Sequence, residues 1–246
     1  MHVCIECGYS SPDWLGRCPN CGEFGTLEKR EPVAKKKTRK NRNLSVEPRP
    51  LQSISSEEYR RIETGISELD RVLGGGLVPG SVILLGGQPG IGKSTLLLQW
   101  GASRVQETPV LYVNGEESGP QVARRARRLG VPTENIKLIP STNIEAVINT
   151  ISELDSSLVF IDSIQTMVSE DSSGMPGSMA QLRAVTQKVV AAAKKHTVSF
   201  LLVGHVTKQG DIGGPKRLEH MVDTVLYFDE ATRGYRFIRS AKNRFG

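Results

Sequence analysis

"GGQPGIGKST", Gly86–Thr95, is the stretch that decides the fold. An apolar run, "SVILLGG" (Ser81–Gly87), leads into it, and "KSTLLLQWGASRVQ" (Lys93–Gln106) leads out with helical texture. The order is strand, glycine-rich loop, helix. Within Gly87-x4-Gly92-Lys93-Ser94, glycines let backbone amides turn inward around a β-phosphate, and the helix start adds its positive end. Gly87, Gln88, Pro89, Gly90, Ile91, Gly92, Lys93, Ser94 and Thr95 are therefore read as the nucleotide-holding segment. Lys93 is expected to bridge β- and γ-phosphates, and the Ser94 hydroxyl to ligate magnesium. A chance match is the competing reading, and the strand–loop–helix context argues against it.

Outward from the loop, the same alternation repeats. "PVLYVNGEE" (Pro109–Glu117), "SLVFIDS" (Ser157–Ser163) and "SFLLVGH" (Ser199–His205) are short apolar runs of the kind buried in parallel sheets. "GPQVARRARRLG" (Gly119–Gly130) and "MAQLRAVTQKVVAAAKKH" (Met179–His196) have helical patterns. The alternation predicts a doubly wound α/β domain with a mostly parallel sheet. "TVLYFDE" (Thr224–Glu230) and "GYRFIRSAKN" (Gly234–Asn243) read as a terminal hairpin on the sheet edge, and no internal repeat is visible.

Ligands of open α/β sheets gather beyond the strand tips. Asp162 ends "LVFID", where a magnesium-side carboxylate belongs; a turn-capping aspartate is the alternative. Glu116 and Glu117 end "NGEE", and one of them is a candidate to polarise an attacking water, against an exposed acidic turn. His205 at a third tip either packs or senses a γ-phosphate.

The 246 residues carry a formal charge of +6, with 38% hydrophobic and 24% charged residues, as ordinary soluble domains do. A basic balance leans toward an anionic partner. No secretory pattern opens the chain and no apolar run is long enough for a bilayer, so a cytoplasmic location is expected. All four cysteines fall early, as "CIECG" (Cys4, Cys7) and "CPNCG" (Cys18, Cys21). Paired knuckles in a reducing compartment point to a structural Zn2+ rather than disulfides or redox pairs. A zinc tetrathiolate would bring the net charge to about +4. Residues 29–56 are basic and poor in apolar side chains; "KREPVAKKKTRKNRNLSVEPRP" (Lys29–Pro50) is either a solvated tether or a tether that also grips phosphates. The chain thus divides into a zinc ribbon (1–28), a basic linker (29–56) and an ATPase core (57–246).

"TGISELDRVLGGGLVPGSVILLGGQPGIGKST" (Thr64–Thr95) is similar to the RecA/KaiC-type ATPase core. "CIECGYSSPDWLGRCPNCG" (Cys4–Gly22), "GHVTKQGDIGGPKRLEHMVDTVLYF" (Gly204–Phe228) and the closing "KNRFG" (Lys242–Gly246) resemble the bacterial RadA (Sms) family, over essentially all of the chain except the linker. The resemblance implies a RecA-like fold, ATP and Mg2+ as well as Zn2+, and a ring, homohexameric in expectation, that migrates recombination branches on single-stranded DNA alongside RecA recombinase. A KaiC-like nucleotide switch and a replicative-helicase-type motor are the rivals. The family normally continues into a Lon-protease-like domain, so the sequence ending at Gly246 is read as a fragment or as lacking that domain.

Carried over by position, Lys93 and Ser94 match the phosphate loop, Glu116 the catalytic glutamate, Asp162 the magnesium-side aspartate, and His205 the site of a γ-phosphate sensor that is glutamine in related motors. Two loops, Val168–Ser178 and Thr207–Arg217, are implied to face DNA; the second supplies Lys208, Lys216 and Arg217, the first no cation. Neither holds an aromatic, so backbone phosphates are the expected contact. Lys242 and Arg244, two apart, should share one strand face. They are either solvated or, as the resemblance implies, reach a neighbouring subunit's nucleotide in trans.

Overall fold

The computed structural model describes residues 1–29, 50–53, 61–103, 109–154, 156–205, 216–230 and 234–246, with nothing stated for the side chains of 216 and 217. The N-terminal unit is a three-stranded antiparallel sheet of β1 (His2–Cys4), β2 (Ser10–Ser11) and β3 (Leu27–Lys29), with β1 central. Its buried interior is Cys4, Cys18 and Leu27. So little apolar surface cannot offset chain entropy without a cross-link or metal.

The remainder builds one layered domain: α1 (Ser67–Val72), β4 (Val82–Gly87), α2 (Lys93–Ser103), β5 (Val110–Asn114), α3 (Gly119–Leu129), β6 (Ile136–Ile139), α4 (Ile144–Glu153), β7 (Leu158–Asp162), α5 (Met179–His196), β8 (Ser199–His205), α6 (Lys216–Glu219), β9 (Thr224–Glu230) and β10 (Arg236–Asn243). The seven strands lie in the order β10-β9-β4-β8-β7-β5-β6, all neighbouring pairs parallel except β9–β10. This is the RecA/KaiC-like mostly parallel sheet.

Alternate side chains of each central strand enter different cores, which is why these strands read as unbroken apolar runs. Val159 and Ile161 of β7 join Leu182, Val185 and Val189 of α5 and Val147 of α4. Leu158 and Phe160 join Leu69 of α1, Leu97 and Trp100 of α2 and Val122 of α3. Phe160 touches Trp100 (ring centroids 5.4 Å) and meets Tyr112 edge-on (6.3 Å).

Local chemistry sets the helix ends. Gln121 Oε1 accepts the Ser118 amide hydrogen at the start of α3 (2.8 Å), Asn143 accepts from Ala146 at the start of α4 (2.8 Å), and Gly130 closes α3 in the left-handed region (φ 63°). β6 and α4, absent from the sequence reading, add the far edge strand and half the cover of one face. "IKLI" (Ile136–Ile139) is only four residues long, its apolar run is broken by the exposed Lys137, and its other residues are only partly buried at the edge, so it lacks the signature of its neighbours.

Candidate active site and metal centre

The phosphate loop joins β4 to α2, and Gly92 sits at φ 113°, where a side chain would be strained. Lys93 is buried, and its Nζ donates to the carbonyls of Gly87 (2.8 Å) and Gln88 (2.9 Å). Burial pulls its pKa down, opposed by the negative charges of Asp162 and Glu116. The lysine folds over its own loop and faces both strand-tip carboxylates.

β8 lies between β4 and β7, so His205 (opposite Gly87 in register) stands between the phosphate loop and Asp162. Asp162 is buried and its Oδ2 accepts the Tyr112 hydroxyl (2.7 Å). That hydroxyl also contacts Ser94; burial, then the adjacent Asp162, push the phenol pKa up, so it stays a neutral donor. Ser94 and Asp162 are thereby brought to one place, a fitting oxygen pair for a small hard cation.

The Glu116/Glu117 ambiguity has a geometric counterpart. Glu116 Oε1 meets Nε2 of His205 at 3.0 Å and accepts the Ser163 hydroxyl, while Glu117 turns away to pair with Arg125 of α3. Burial raises the Glu116 pKa, but the Ser163 and His205 hydrogen bonds and the charges of His205 and Lys93 outweigh it, so the net shift is downward. Gly115, just before, is constrained by crowding: a Cβ there would lie 2.2 Å from Thr166 Oγ1. The backbone runs this close to the turn after β7, Ile164–Thr166, where Glu116 reaches Ser163.

Tyr112, Ser163 and Arg236 were invisible in the sequence. Arg236 on β10 donates to the Ile91 carbonyl in the phosphate loop (3.1 Å), and an arginine in an edge strand reads simply as a solvated cation. Beside Gly92 and Thr95 opens a cavity of about 760 Å³, walled by Leu69, Phe228, Tyr235 and Arg236 among others.

Lys242 and Arg244 do not project freely. Lys242 Nζ donates to the carbonyls of Glu219 and Val222, both at 2.7 Å. Arg244 pairs with Asp223 (3.0 Å) and donates to the His220 carbonyl (3.3 Å). Burial, then Arg244 alongside, lowers the Lys242 pKa. Simple alternation does not produce this arrangement: the register shifts between Ser240 and Lys242, and β10 ends at Asn243. Both cations nevertheless converge on the 219–223 turn.

Of the two loops expected to face DNA, Val168–Ser178 is tightly built. The buried Gln181 side chain donates to the carbonyls of Ser169, Ser172 and Gly174, and Lys188 bridges Glu145 (3.1 Å) and Asp171 (2.5 Å). Lys208 lies outside the described residues, as do the side chains of Lys216 and Arg217, which open α6, and the linker cations of residues 30–49.

The four cysteine sulfurs lie within 4.8 Å of one another and all are free thiols. Cys4–Cys21 and Cys7–Cys18 separations of 3.7 and 3.4 Å are far beyond a disulfide's roughly 2.0 Å. They sit near the ~3.8 Å edge of a tetrahedron with Zn–S of about 2.3 Å. Burial raises every thiol, yet hydrogen bonds with Thr26 and with the backbone of Glu6 and Cys7 bring Cys4 down to about 6. Cys21 is pushed up to about 12 by burial and by the neighbouring sulfurs. Four crowded sulfurs resist full ionisation until a divalent cation neutralises them; the donor set fits Zn2+.

A family model described as "AAA domain" matches residues 47–211, and a "Rubredoxin metal binding domain" matches residues 2–29. A protein named DNA repair protein RadA from Listeria monocytogenes is 49% identical over 99% of this chain and 54% of its own length. Its counterpart from Aquifex aeolicus is 47% identical over 100% of this chain and 55% of its own. The chain thus spans about half the length of these relatives. The crystal structure of a KaiC-like protein from Pyrococcus horikoshii superposes with TM-score 0.63 at 20% identity, covering 76% of this chain and 90% of the other, a likeness of fold. No helix among the described residues is long and apolar enough to cross a membrane. With a phosphate loop in its strand–helix setting and a four-cysteine ribbon ahead of it, the chain belongs to the AAA-domain family and, within it, to the RadA group.

Proposed function

We propose that this chain is an ATP-hydrolysing DNA motor of recombination and repair, promoting branch migration with hydrolysis stimulated by single-stranded DNA. The observation that carries the reading is the convergence of Lys93, Asp162 and the Glu116–His205 pair at neighbouring strand tips. ATP phosphates would lie on the amides of Gly90–Thr95 with Lys93 turned outward, and the nucleoside half would take the cavity beside Gly92 and Thr95. Ser94 and Asp162 would hold Mg2+, which supplies neutralisation of developing phosphoryl charge. Glu116 has Oε1 engaged by Ser163 and His205, which orients Oε2 to take a proton from the attacking water.

The names of the relatives support the repair role. A hexameric ring, action beside RecA recombinase, DNA contact through Lys208, Lys216 and Arg217, and hydrolysis completed in trans by Lys242 and Arg244 belong to the same proposal. A cytoplasmic location follows from acting on chromosomal DNA. The test is the steady-state ATPase rate with and without single-stranded oligonucleotide. Stimulation is expected. Turnover indifferent to DNA, with no DNA retained at low salt, would replace the motor by a nucleotide switch.

A further inference from the structure

We propose that the arginine face of α3 is a binding site for the sugar–phosphate backbone of a nucleic acid strand, separate from the two strand-tip loops. The proposal rests on the DNA reading above.

Glu117, Gln121, Arg124, Arg125 and Arg128 line one open cavity of about 290 Å³. Their spacing places them along a single side of the helix, with three guanidiniums against one carboxylate. Glu117 is taken by Arg125. Among the described residues, Arg124 and Arg128 have no partner, and the buried Nη1 of Arg125 lacks a hydrogen-bond acceptor. A donor desolvated and unpaired in this way is unfavourable, and an incoming anion would satisfy it.

The helix that presents these groups is rigid. Val122 and Ala126 bury its other side in the core with α1 and α2, while Gln121 and Gly130 close its two ends. Arginines three and four positions apart on a helix have Cβ atoms roughly 5–6 Å apart, a spacing that suits a row of phosphates, because each guanidinium fork takes two phosphate oxygens. A protein partner fits less well: every residue around the cavity is polar, and protein interfaces are centred on apolar or aromatic anchors. α3 packs on the sheet face opposite α5, so it would hold a length of strand that the loop Val168–Ser178 does not.

The test compares the wild-type full chain with the double variant Arg124→Gln/Arg128→Gln and with Lys208→Ala/Lys216→Ala/Arg217→Ala. Binding of a labelled oligothymidylate is followed by anisotropy from about 50 to 300 mM KCl. The double variant should bind more weakly, with its log–log salt slope shallower by about 1.4, at roughly 0.7 per lost phosphate contact on a single strand. Its ATPase without DNA should be unchanged, and Arg124→Lys/Arg128→Lys, which keeps both charges, should restore most of the slope. If only the loop variant weakens binding, the α3 site is wrong and the DNA reading stands. If the wild type binds no DNA, both fall. An unchanged slope with reduced assembly in sedimentation would make this face a contact between copies, and would overturn the proposal.

Discussion

Glu116 Oε1 and His205 Nε2 lie 3.0 Å apart, joining the tip of β5 to the tip of β8 across the buried strand β7. Glu116 faces Lys93, and His205 is the last residue of β8; the segment after it, expected to touch DNA, lies outside the described residues.

Glu116→Gln should retain nucleotide affinity within a few-fold and slow hydrolysis by two or more orders of magnitude, the usual cost of losing a general base. Glu117→Gln removes only the partner of Arg125, so turnover should stay within a few-fold of wild type. Single-turnover ATPase with nucleotide affinity measured in parallel checks both. The reverse pattern would assign the base to Glu117.

The Glu116 carboxyl is held below its ordinary value, so the acid limb of the ATPase pH profile should lie at or below the usual glutamate range, near 4.5. His205→Ala removes a hydrogen bond and a neighbouring charge that hold it down. Burial then acts with less opposition and the pKa rises. The acid limb of His205→Ala should therefore move to higher pH. The same depression stabilises the fold: its contribution is present above the unfolded-state pKa and is lost as pH falls through the lower, folded one. Paired kcat profiles across the acid range decide it; an unmoved or lowered limb contradicts the role given to His205.

One zinc ion per chain should be found, held by Cys4, Cys7, Cys18 and Cys21. Cys18→Ser, at a fully buried ligand, should lose the metal and unfold residues 1–29 while the core keeps its cooperative unfolding transition. Elemental analysis and hydrogen exchange over the ribbon check this. Metal-free protein with a protected ribbon would be the contrary result.

Lys242→Ala should bind ATP and hydrolyse it at least tenfold more slowly. In an assembly mixed with Lys93→Ala protein, some interfaces unite an intact phosphate loop with an intact Lys242, and partial ATPase should return. Such a role requires Lys242 Nζ to exchange the carbonyls of Glu219 and Val222 for a neighbour's phosphates. If subunits exchange and no activity returns, the lysine serves its own chain by gripping the 219–223 turn.

Much of the fold was legible because its physics is local. Strands buried on both faces, such as Leu158–Asp162, must be apolar throughout, and a phosphate loop must have glycine where φ is positive, so both leave marks on short stretches of sequence. The cysteine spacing likewise announces a metal knuckle. β6 and α4 escaped because an edge strand has fewer neighbours to satisfy and a weaker pattern. Which of Glu116 and Glu117 faces Lys93 depends on the path of the chain past Thr166. The bracing of the phosphate loop by Arg236 joins residues 145 positions apart, and the engagement of Lys242 and Arg244 by one turn depends on a register shift in β10. Residue type and spacing along the chain carry the first group; the second is set by packing between segments remote in sequence, which no local pattern encodes.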